Sequence, residues 1–507
     1  MIFTPAVQPS GTLGTGSAPV PLDENTQSNA SPAGLAVTSD GGAKWSFVKP
    51  SGVTWNPTDH GDFVDPVTNR VFFEDYGPIP LAPELGAGQE GPAHIMWTDA
   101  IGDPASWHHT AISSVFLPEN PRFTAAPAPP GQPAPAGGYP NVIYFCANTN
   151  VGFVSPVIAG RVCFKSLDGG STFNQTAILF TGVAPQHAEC GTSGEIYSAI
   201  DGYYPQPAPD GSLYVMVACG GATYLARSAD EAATFPIVKG AMGQPLRLPL
   251  PAPSVGQIGS PDLRIGPTGT MYLMWSTVAG GGTKLMLSLS RDRGLSWTRP
   301  LDVTAPRVSV NQWAMAERNG HVAVAYLGRT PGQATMDAYM TETRNAGDVL
   351  TGGQPLFWSA VLNTRPVLYG DSVQGSGFLT LAAGVRIPFP PPFGNQMFGN
   401  DFIGATIAPD GSAWGSFGQD CGPSPDDPTC QAQNDQTRGF AGRLLWAPRA
   451  VATPSPSPTA VKTRPLAVSG GQPVAPGVGL AVFVTALALT VLRRRGLGAS
   501  ADPELPN

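Results

Sequence analysis

Charged residues are scarce in this chain. They make up 13% of its 507 residues, and their formal net charge is −8. A nucleic-acid-binding protein needs clustered lysine and arginine to neutralise phosphates. The sequence therefore argues against a nucleic-acid partner, while its acidic balance favours solubility without naming a ligand.

Several motifs that carry chemistry are missing as well. The chain has no C-x-x-C pair, no H-E-x-x-H, no G-x-x-x-x-G-K-[ST] and no G-x-S-x-G. These absences remove support for a zinc ribbon, a zinc peptidase, a P-loop and a hydrolase nucleophile elbow. We predict neither a metal site nor a cofactor.

Cysteine is limited to six residues, an even number that suits disulfides in an oxidising compartment. Proximity in the sequence favours the pairs Cys146–Cys163, Cys190–Cys219 and Cys421–Cys430. The alternative is that these residues are buried free thiols, which pack as small hydrophobic side chains.

An uncharged apolar run occupies residues 474–492, just long enough to cross a bilayer as one transmembrane helix. Arg493, Arg494 and Arg495 follow it and indicate that the tail, residues 493–507, is cytoplasmic. Residues 447–473 are rich in Pro, Ser and Thr, which predicts an extended stalk. The body of the protein, before this stalk, is then expected outside the cell.

Export of that body needs a signal peptide, but the first residues, MIFTPAVQPSGTLGTG, have neither a basic nor an apolar region. Either the natural start lies upstream, or the protein is tail-anchored with its body in the cytosol. The stalk, the cysteines and the basic inner flank favour the first. Residues 1–33 are accordingly expected to be disordered or truncated.

Glycine and proline, by contrast, are abundant, with 62 and 55 residues, although 42% of the chain is hydrophobic. Both residues break helices, whereas the apolar content is enough for a sizeable core. Many short strands joined by tight turns satisfy both facts, so we predict an all-β protein.

A turn sequence repeats along the chain with the pattern Ser/Thr-x-Asp-x-Gly/Ala-x-x-aromatic. Its copies are centred on Asp40, Asp168, Asp230 and Asp292, and the last three are spaced 62 residues apart. A hairpin turn that enters an apolar strand precedes most copies. The unit is therefore strand, hairpin, strand, strand, Asp turn, strand, which is typical of a propeller blade. The aspartate accepts backbone N–H groups within the turn, so its predicted role is structural.

These copies resemble the Asp-boxes (BNR repeats) of the sialidase superfamily, over residues 34–446. The chain is also similar to secreted actinobacterial propellers called exo-sialidases. The resemblance implies a β-propeller whose Asp-boxes lie away from the ligand site. Six hairpin elements predict six blades, with the N-terminal hairpin around Asp40 pairing with strands between Asp401 and Trp446. Seven blades, the first one cut short, is the alternative.

The innermost strand of each blade lines the axis of a propeller, so polar residues near the starts of these strands are candidates for an axial ligand site. The cluster includes several carboxylates, which suit sugar hydroxyls or a cation, and each member has the alternative role of capping a loop. The candidates are Asp62, His187, Glu189, Asp262, Arg264, Trp313, Arg318 and Asp401.

In the sialidase superfamily, three arginines bind the sugar carboxylate, a Tyr–Glu pair supplies the nucleophile, and an Asp is the acid/base. Here no Arg precedes Asp40, and Val385–Pro388, which reads VRIP, is far downstream. Arg264 and Arg318 are possible remnants, and Tyr203 and Tyr204 match only by residue type. We therefore expect a membrane-anchored extracellular module that binds a glycan, a cell-surface polymer or a protein. The alternative is a glycoside hydrolase of exo-α-sialidase type, with a carboxylate pair at hydrolase spacing.

Overall fold

The structure is a computed structural model. It describes residues 2–3, 8–9, 13–15, 17–20, 35–41, 46–48, 50, 61–76, 92–116, 118–149, 160–181, 187–190, 204–219, 221–251, 261–363, 367–369, 378–380, 386–388, 403–420, 437–444, 467–468 and 474–475. All statements below concern these residues.

The chain is an all-β propeller of six blades, as predicted, and each blade is an antiparallel sheet. Six short strands precede the blades: β1 Ile2–Phe3, β2 Gln8–Pro9, β3 Leu13–Thr15, β4 Ser17–Val20, β5 Leu35–Val37 and β6 Ser46–Val48. Blade 1 contains β7 Asp62–Val64, β8 Val71–Tyr76, β9 Pro92–Thr98 and β10 His108–Phe116. Blade 2 contains β11 Pro118–Ala126, β12 Val142–Thr149, β13 Gly160–Ser166 and β14 Asn174–Thr181. Blade 3 contains β15 Gln206–Pro207, β16 Leu213–Cys219 and β17 Ala222–Ser228.

In blade 3 the outermost position has no regular strand. It is filled by the segment after Asp230, which makes isolated bridges from Ile237 to Ala226 and from Arg247 to Tyr224.

Blades 4 to 6 follow the same order from the axis outward. Blade 4 contains β18 Asp262–Ile265, β19 Met271–Ala279, β20 Gly282–Ser290 and β21 Leu301–Asp302. Blade 5 contains β22 Ser309–Arg318, β23 His321–Arg329, β24 Thr335–Thr343, β25 Trp358–Val361 and β26 Leu368–Tyr369, and it is followed by a separate hairpin of β27 Phe378–Thr380 and β28 Arg386–Pro388. Blade 6 contains β29 Gly404–Ile407, β30 Ala413–Asp420, β31 Thr437–Arg443, β32 Ala467–Val468 and β33 Val474–Ala475. Short 3₁₀ helices lie at Pro104–Ser106, Ala136–Gly138, Ala188–Cys190 and Ala346–Thr351.

The core lies between successive sheets. One apolar cluster fills the space between blades 1 and 2 around Phe145, another joins blades 2, 3 and 4 around Leu225, and others separate blades 4, 5 and 6. Alternate side chains of a strand point to opposite faces, so both faces of each blade must be apolar. Fully burying one such aromatic side chain contributes about 1.5–3 kcal/mol.

The prediction for the N-terminal hairpin was wrong in its pairing. Strand β5 pairs with β1 and β6 in a sheet of its own, and the outer edge of β31 bonds instead to β32 and β33. Leu35 and Val48 pack against blade 1. On the other side, a Cβ on Gly41 would lie 3.1 Å from Arg443 Nη1 of blade 6. The sheet therefore fits between blades 6 and 1 by side-chain packing.

Two disulfides are confirmed, Cys146–Cys163 and Cys190–Cys219. The predicted third pair, Cys421 and Cys430, lies outside the described residues. Strand β32 falls within the predicted stalk, and Val474 and Ala475, the first two residues of the predicted membrane helix, form β33. Pairing there satisfies backbone groups on the open edge of β31. No helix in the described part of the chain is long and apolar enough to cross a bilayer.

Candidate functional site

The six innermost strands form the wall of the axis, and neighbouring ones contact each other in the order β7, β11, β15, β18, β22, β29. Each runs from an upper face toward the face that carries the Asp-boxes, because the boxes follow the third strand of a blade. In each blade, the innermost strand pairs with the second strand, and this register shows which residues of the six innermost strands lie at the same height along the axis. Residues at one such height are Phe63, Thr124, Gln206, Arg264, Ala316 and Thr406.

Asp262 and Arg264 lie on one face of β18 because they are two residues apart. Arg264 donates to Asp262 Oδ2 from Nη2 at 2.9 Å and from Nε at 3.2 Å. Asp262 is buried, whereas the Arg264 side chain keeps 40% of its exposure. The carboxylate thus fixes the guanidinium through one oxygen that accepts from Nε and Nη2, and Nη1 takes no part in this contact.

Glu317 lies at the lower end of β22, between blades 4 and 5, and is half-buried. Its Oε1 accepts the N–H of Gly320 at 2.7 Å. Burial raises the pKa of Glu317, against the opposing effects of that N–H, Arg264 and His321. Burial, with Glu317 nearby, also raises the pKa of Tyr272 to about 12.

Two further candidates on β22 act between blades. Arg318 donates from Nη1 to the Ile407 carbonyl at 3.3 Å, which connects blade 5 to the innermost strand of blade 6. Trp313 is 8% exposed and packs in the cluster between blades 4 and 5. A ring so buried offers no platform for stacking a sugar, so its contribution is to the core.

Of the remaining candidates, Asp62 is the exposed first residue of β7 and lies on the axial wall. His187 and Glu189 lie elsewhere. His187 Nε2 is 2.8 Å from the Phe235 carbonyl oxygen, and Glu189 is 3.6 Å from Lys239 Nζ. Both partners belong to the outermost segment of blade 3. Asp401 lies outside the described residues, so its role stays a prediction.

Sequence reasoning missed a cluster of arginines at the upper end of blades 2 and 3. The Tyr204 ring lies 3.7 Å from the Arg161 guanidinium carbon and 5.5 Å from that of Arg122. Arg161 is fully buried, Tyr204 is 5% exposed, and Arg122 is partly exposed on β11. Guanidinium groups stack favourably on aromatic faces. Both guanidinium groups therefore lie over the Tyr204 ring, and Arg122 is also fixed by its Nη1, which donates to the Pro121 carbonyl at 3.0 Å.

A covalent bond braces this cluster. Arg122 pairs opposite Cys146, which is bonded to Cys163 on the next strand. Paired residues share a face of the sheet, so the disulfide lies beside Arg122. The segment before Ala126 was not recognised as an inner strand. In blade 3, the sequence placed the start of the inner strand near His187, whereas that strand begins at Gln206.

The Asp-boxes have the predicted structural role. In the three complete copies the Oδ1 atom of the aspartate accepts two hydrogen bonds. One comes from the hydroxyl of the serine two residues earlier, at 2.7–2.8 Å, and the other from the backbone N–H four residues later, at 2.9–3.0 Å. Burial raises the pKa of each carboxyl, but the hydroxyl of Thr172, Thr234 or Ser296 also donates to it. Together these hydrogen bonds outweigh burial, and the pKa of Asp168, Asp230 and Asp292 lies below its ordinary value. The N-terminal copy keeps the contact from Thr38 to Asp40, at 2.9 Å.

Blade 5 carries a fifth copy, in which asparagine replaces aspartate. Thr343 donates its hydroxyl to Asn345 Oδ1 at 3.0 Å, and the Leu356 N–H donates to the same oxygen at 2.9 Å. Eleven positions, instead of four, separate Asn345 from Leu356, because a 3₁₀ helix is inserted between them. That insertion moves the N–H donor out of the usual spacing of the motif.

No family model matches the chain, and no curated protein matches it. Among solved structures, the Hadza microbial sialidase Hz136 is 14% identical, with a TM-score of 0.33 over 58% of this chain and 56% of that one. The NanB sialidase from Streptococcus pneumoniae is 8% identical, with a TM-score of 0.38 over 73% and 67%. The alpha-L-arabinofuranosidase Arb93A from Fusarium graminearum is 12% identical, with a TM-score of 0.32 over 63% and 76%.

The chain thus spans just over half of the first of these sialidases. All three structures are glycoside hydrolases. The propeller assignment rests on the strand topology above, and these likenesses carry no argument about activity.

Proposed function

We propose that the protein binds a glycan bearing a carboxylate group at the upper end of its axis. The observation that carries this proposal is the placement of Arg122 on the innermost strand of blade 2, held by the Tyr204 ring. Guanidinium groups bind carboxylates through paired hydrogen bonds. Arg264, partly exposed on the innermost strand of blade 4, is a second guanidinium on the axial wall, with its charge balanced by Asp262.

Binding without cleavage is favoured because two of the predicted carboxylates are already engaged by cations. Asp262 is paired with Arg264, and Glu189 lies at the periphery beside Lys239. One observation favours the second candidate, a glycoside hydrolase of exo-α-sialidase type. The Tyr204 ring lies within 5.5 Å of two guanidinium groups, and a tyrosine nucleophile needs neighbours that activate it. Its burial argues against that role in the observed conformation.

We further propose that the propeller is displayed outside the cell on a single membrane helix formed by the apolar segment that follows Ala475, with a cytoplasmic C-terminus. The two disulfides support an oxidising compartment, and the run of arginines after the apolar segment supports the orientation. Protease added to intact cells should degrade the propeller and spare a tag fused after Asn507. Loss of the tag while the propeller stays intact would show the opposite topology, with the propeller inside the cell.

The ligand proposal is tested by calorimetric titration of the full-length chain with an α-sialoside, a glucuronate oligosaccharide and a neutral oligosaccharide. Binding is expected for a carboxylate-bearing sugar alone. Arg122→Ala should weaken it roughly 10- to 100-fold, since a hydrogen bond to a charged group contributes about 1.5–3 kcal/mol. Arg247→Ala is the matched control, because Arg247 is exposed on the outer segment of blade 3. Equal binding of the neutral sugar, or unchanged binding by Arg122→Ala, would contradict the proposal.

A further inference from the structure

Two histidines lie side by side on the outer part of blade 1. His94 is on β9 and His109 is on β10, and the register places His94 opposite Ala111. The two histidines are therefore diagonal neighbours on one face of the sheet. Their ring centroids are 5.0 Å apart, and their planes are inclined by 28°. His109 is exposed and His94 is partly exposed, so solvent reaches the pair.

This separation fits two imidazoles that bind one metal ion. A metal ion lies about 2.0–2.1 Å from the imidazole nitrogen that binds it, and hence about 3.2 Å from the centroid of that ring. Two rings bound at right angles or at the tetrahedral angle then have centroids about 4.5–5.2 Å apart. The observed 5.0 Å lies within that range. Rotation of the imidazole rings, without movement of the strands, can therefore turn one nitrogen of each ring toward the same ion.

The chemistry of the pair decides which ions suit it. Neutral imidazole nitrogens are good ligands for Cu²⁺, Ni²⁺ and Zn²⁺. Burial, followed by the charge of His109, lowers the pKa of His94, so that its ring is neutral at physiological pH. Within the described residues, no group of three or more His, Cys, Asp or Glu side chains could hold a metal ion. An ion bound here would rest on two histidines and keep its other positions for water.

We propose that His94 and His109 form a binding site for a divalent transition-metal ion, with Cu²⁺ bound more tightly than Ni²⁺ or Zn²⁺. The ion joins β9 to β10, the two strands of blade 1 that lie farthest from the axis. The site is therefore separate from the proposed sugar site. It replaces the expectation of no metal site, because that expectation relied on short motifs and the two ligands here lie on different strands.

His108 supplies a matched control in the same segment. It is exposed like His109, but it points to the opposite face of β10, where its ring stacks on Trp97 with centroids 4.0 Å apart. The full-length chain is treated with diethyl pyrocarbonate, which modifies accessible imidazole nitrogens, with and without Zn²⁺, and the modified residues are mapped by mass spectrometry. Zn²⁺ should slow the modification of His94 and His109 severalfold and leave that of His108 unchanged. Equal slowing at His108, or no slowing at His109, would overturn the proposal.

Pulsed electron paramagnetic resonance of the chain with one equivalent of Cu²⁺ counts the imidazoles bound to the ion. Two are expected for the wild type and for His108→Gln, and one at most for His94→Gln and for His109→Gln. Calorimetric titration should show that the last two variants bind Cu²⁺ roughly 10-fold or more weakly, because the second imidazole no longer chelates the ion. One imidazole in the wild type, or equal affinity in His108→Gln and His109→Gln, would show an adventitious ion only. The wild-type modification pattern decides the question even where a variant fails to fold.

Discussion

Lys165 of blade 2 donates a hydrogen bond to Glu231, which occupies the position after the aspartate in the box of blade 3. Glu231 is 1% exposed and has a left-handed backbone with a φ of 56°. Non-glycine residues take that conformation at a cost of about 1–2 kcal/mol. The strained residue is therefore kept in a place where its carboxylate joins two blades.

Arg293 holds the same position in the next box, with a φ of 62°, but its side chain is largely exposed. We expect opposite results from the same substitution at these two positions. Glu231→Gly should destabilise the protein by about 3 kcal/mol, because Lys165 loses its partner in a largely buried pair. Arg293→Gly should be neutral or stabilise it by up to about 1 kcal/mol. Chemical denaturation of both variants measures the difference, and a similar loss in both would show that the box position itself matters rather than the interblade pair.

Asn345 shows why one box tolerates asparagine. Its Nδ2 donates to Asp348 Oδ2 at 2.7 Å while its oxygen accepts from Thr343. Asn345→Asp would place two carboxylates in contact, so we expect a loss of about 1–2 kcal/mol in unfolding free energy at neutral pH. The loss should shrink in acid as one carboxyl takes up a proton. Asp103→Asn, which alters only an exposed 3₁₀-helix cap, is the control and should change stability little.

The box aspartates also set the response to acid. Their pKa in the folded protein lies below the ordinary value, so the folded state binds these protons less readily than the unfolded state. The stabilisation they supply is complete above about pH 4, the pKa of an unfolded aspartate, and is lost as the pH falls through the lower folded value. A variant with Asp168, Asp230 and Asp292 all changed to Asn should be less stable at neutral pH, and its stability should fall less steeply in acid. If the unfolding free energies of the variant and the wild type depend on pH in the same way, these aspartates do not cause the loss of stability in acid.

The two disulfides close loops with sequence separations of 17 and 29 residues. Each is expected to stabilise the fold by about 3 kcal/mol, with the longer loop contributing about 0.5 kcal/mol more. Replacing Cys190 and Cys219 by alanine should therefore lower the midpoint of unfolding. Replacing Cys146 and Cys163 should in addition weaken ligand binding, because that disulfide lies beside Arg122. Identical binding by the two double variants would separate the disulfide from the ligand site.

The propeller was predictable because its repeat appears in the sequence at a constant spacing. Asp168, Asp230 and Asp292 need only residues within a few positions of themselves, so local sequence defines their role. The axial cluster has no such local pattern. Tyr204 meets Arg161 and Arg122 across two blades, and that contact depends on strand register and on where each inner strand begins.

The predicted site residues show the same division. Asp62, Asp262 and Arg264 lie on inner strands, as expected, because these strands are short and a clear hairpin follows each one, and their binding role stays a prediction. His187 was misplaced because a long connection separates the outer strand of blade 2 from the inner strand of blade 3, and its ring bonds to the periphery. The N-terminal hairpin was placed near the right neighbours, but the sequence did not reveal that packing, rather than strand pairing, would hold it to blade 6.

The central claim, that the axis binds a carboxylate-bearing sugar without cleaving it, is tested most directly by one titration followed by analysis of the recovered ligand. The full-length chain is titrated with an α-sialoside or glucuronoside, and the sugar is then separated and examined for hydrolysis. We expect saturable binding that Arg122→Ala weakens, with the ligand recovered intact. Release of the free sugar acid by the wild type, abolished in Tyr204→Phe, would contradict this account and establish a glycoside hydrolase.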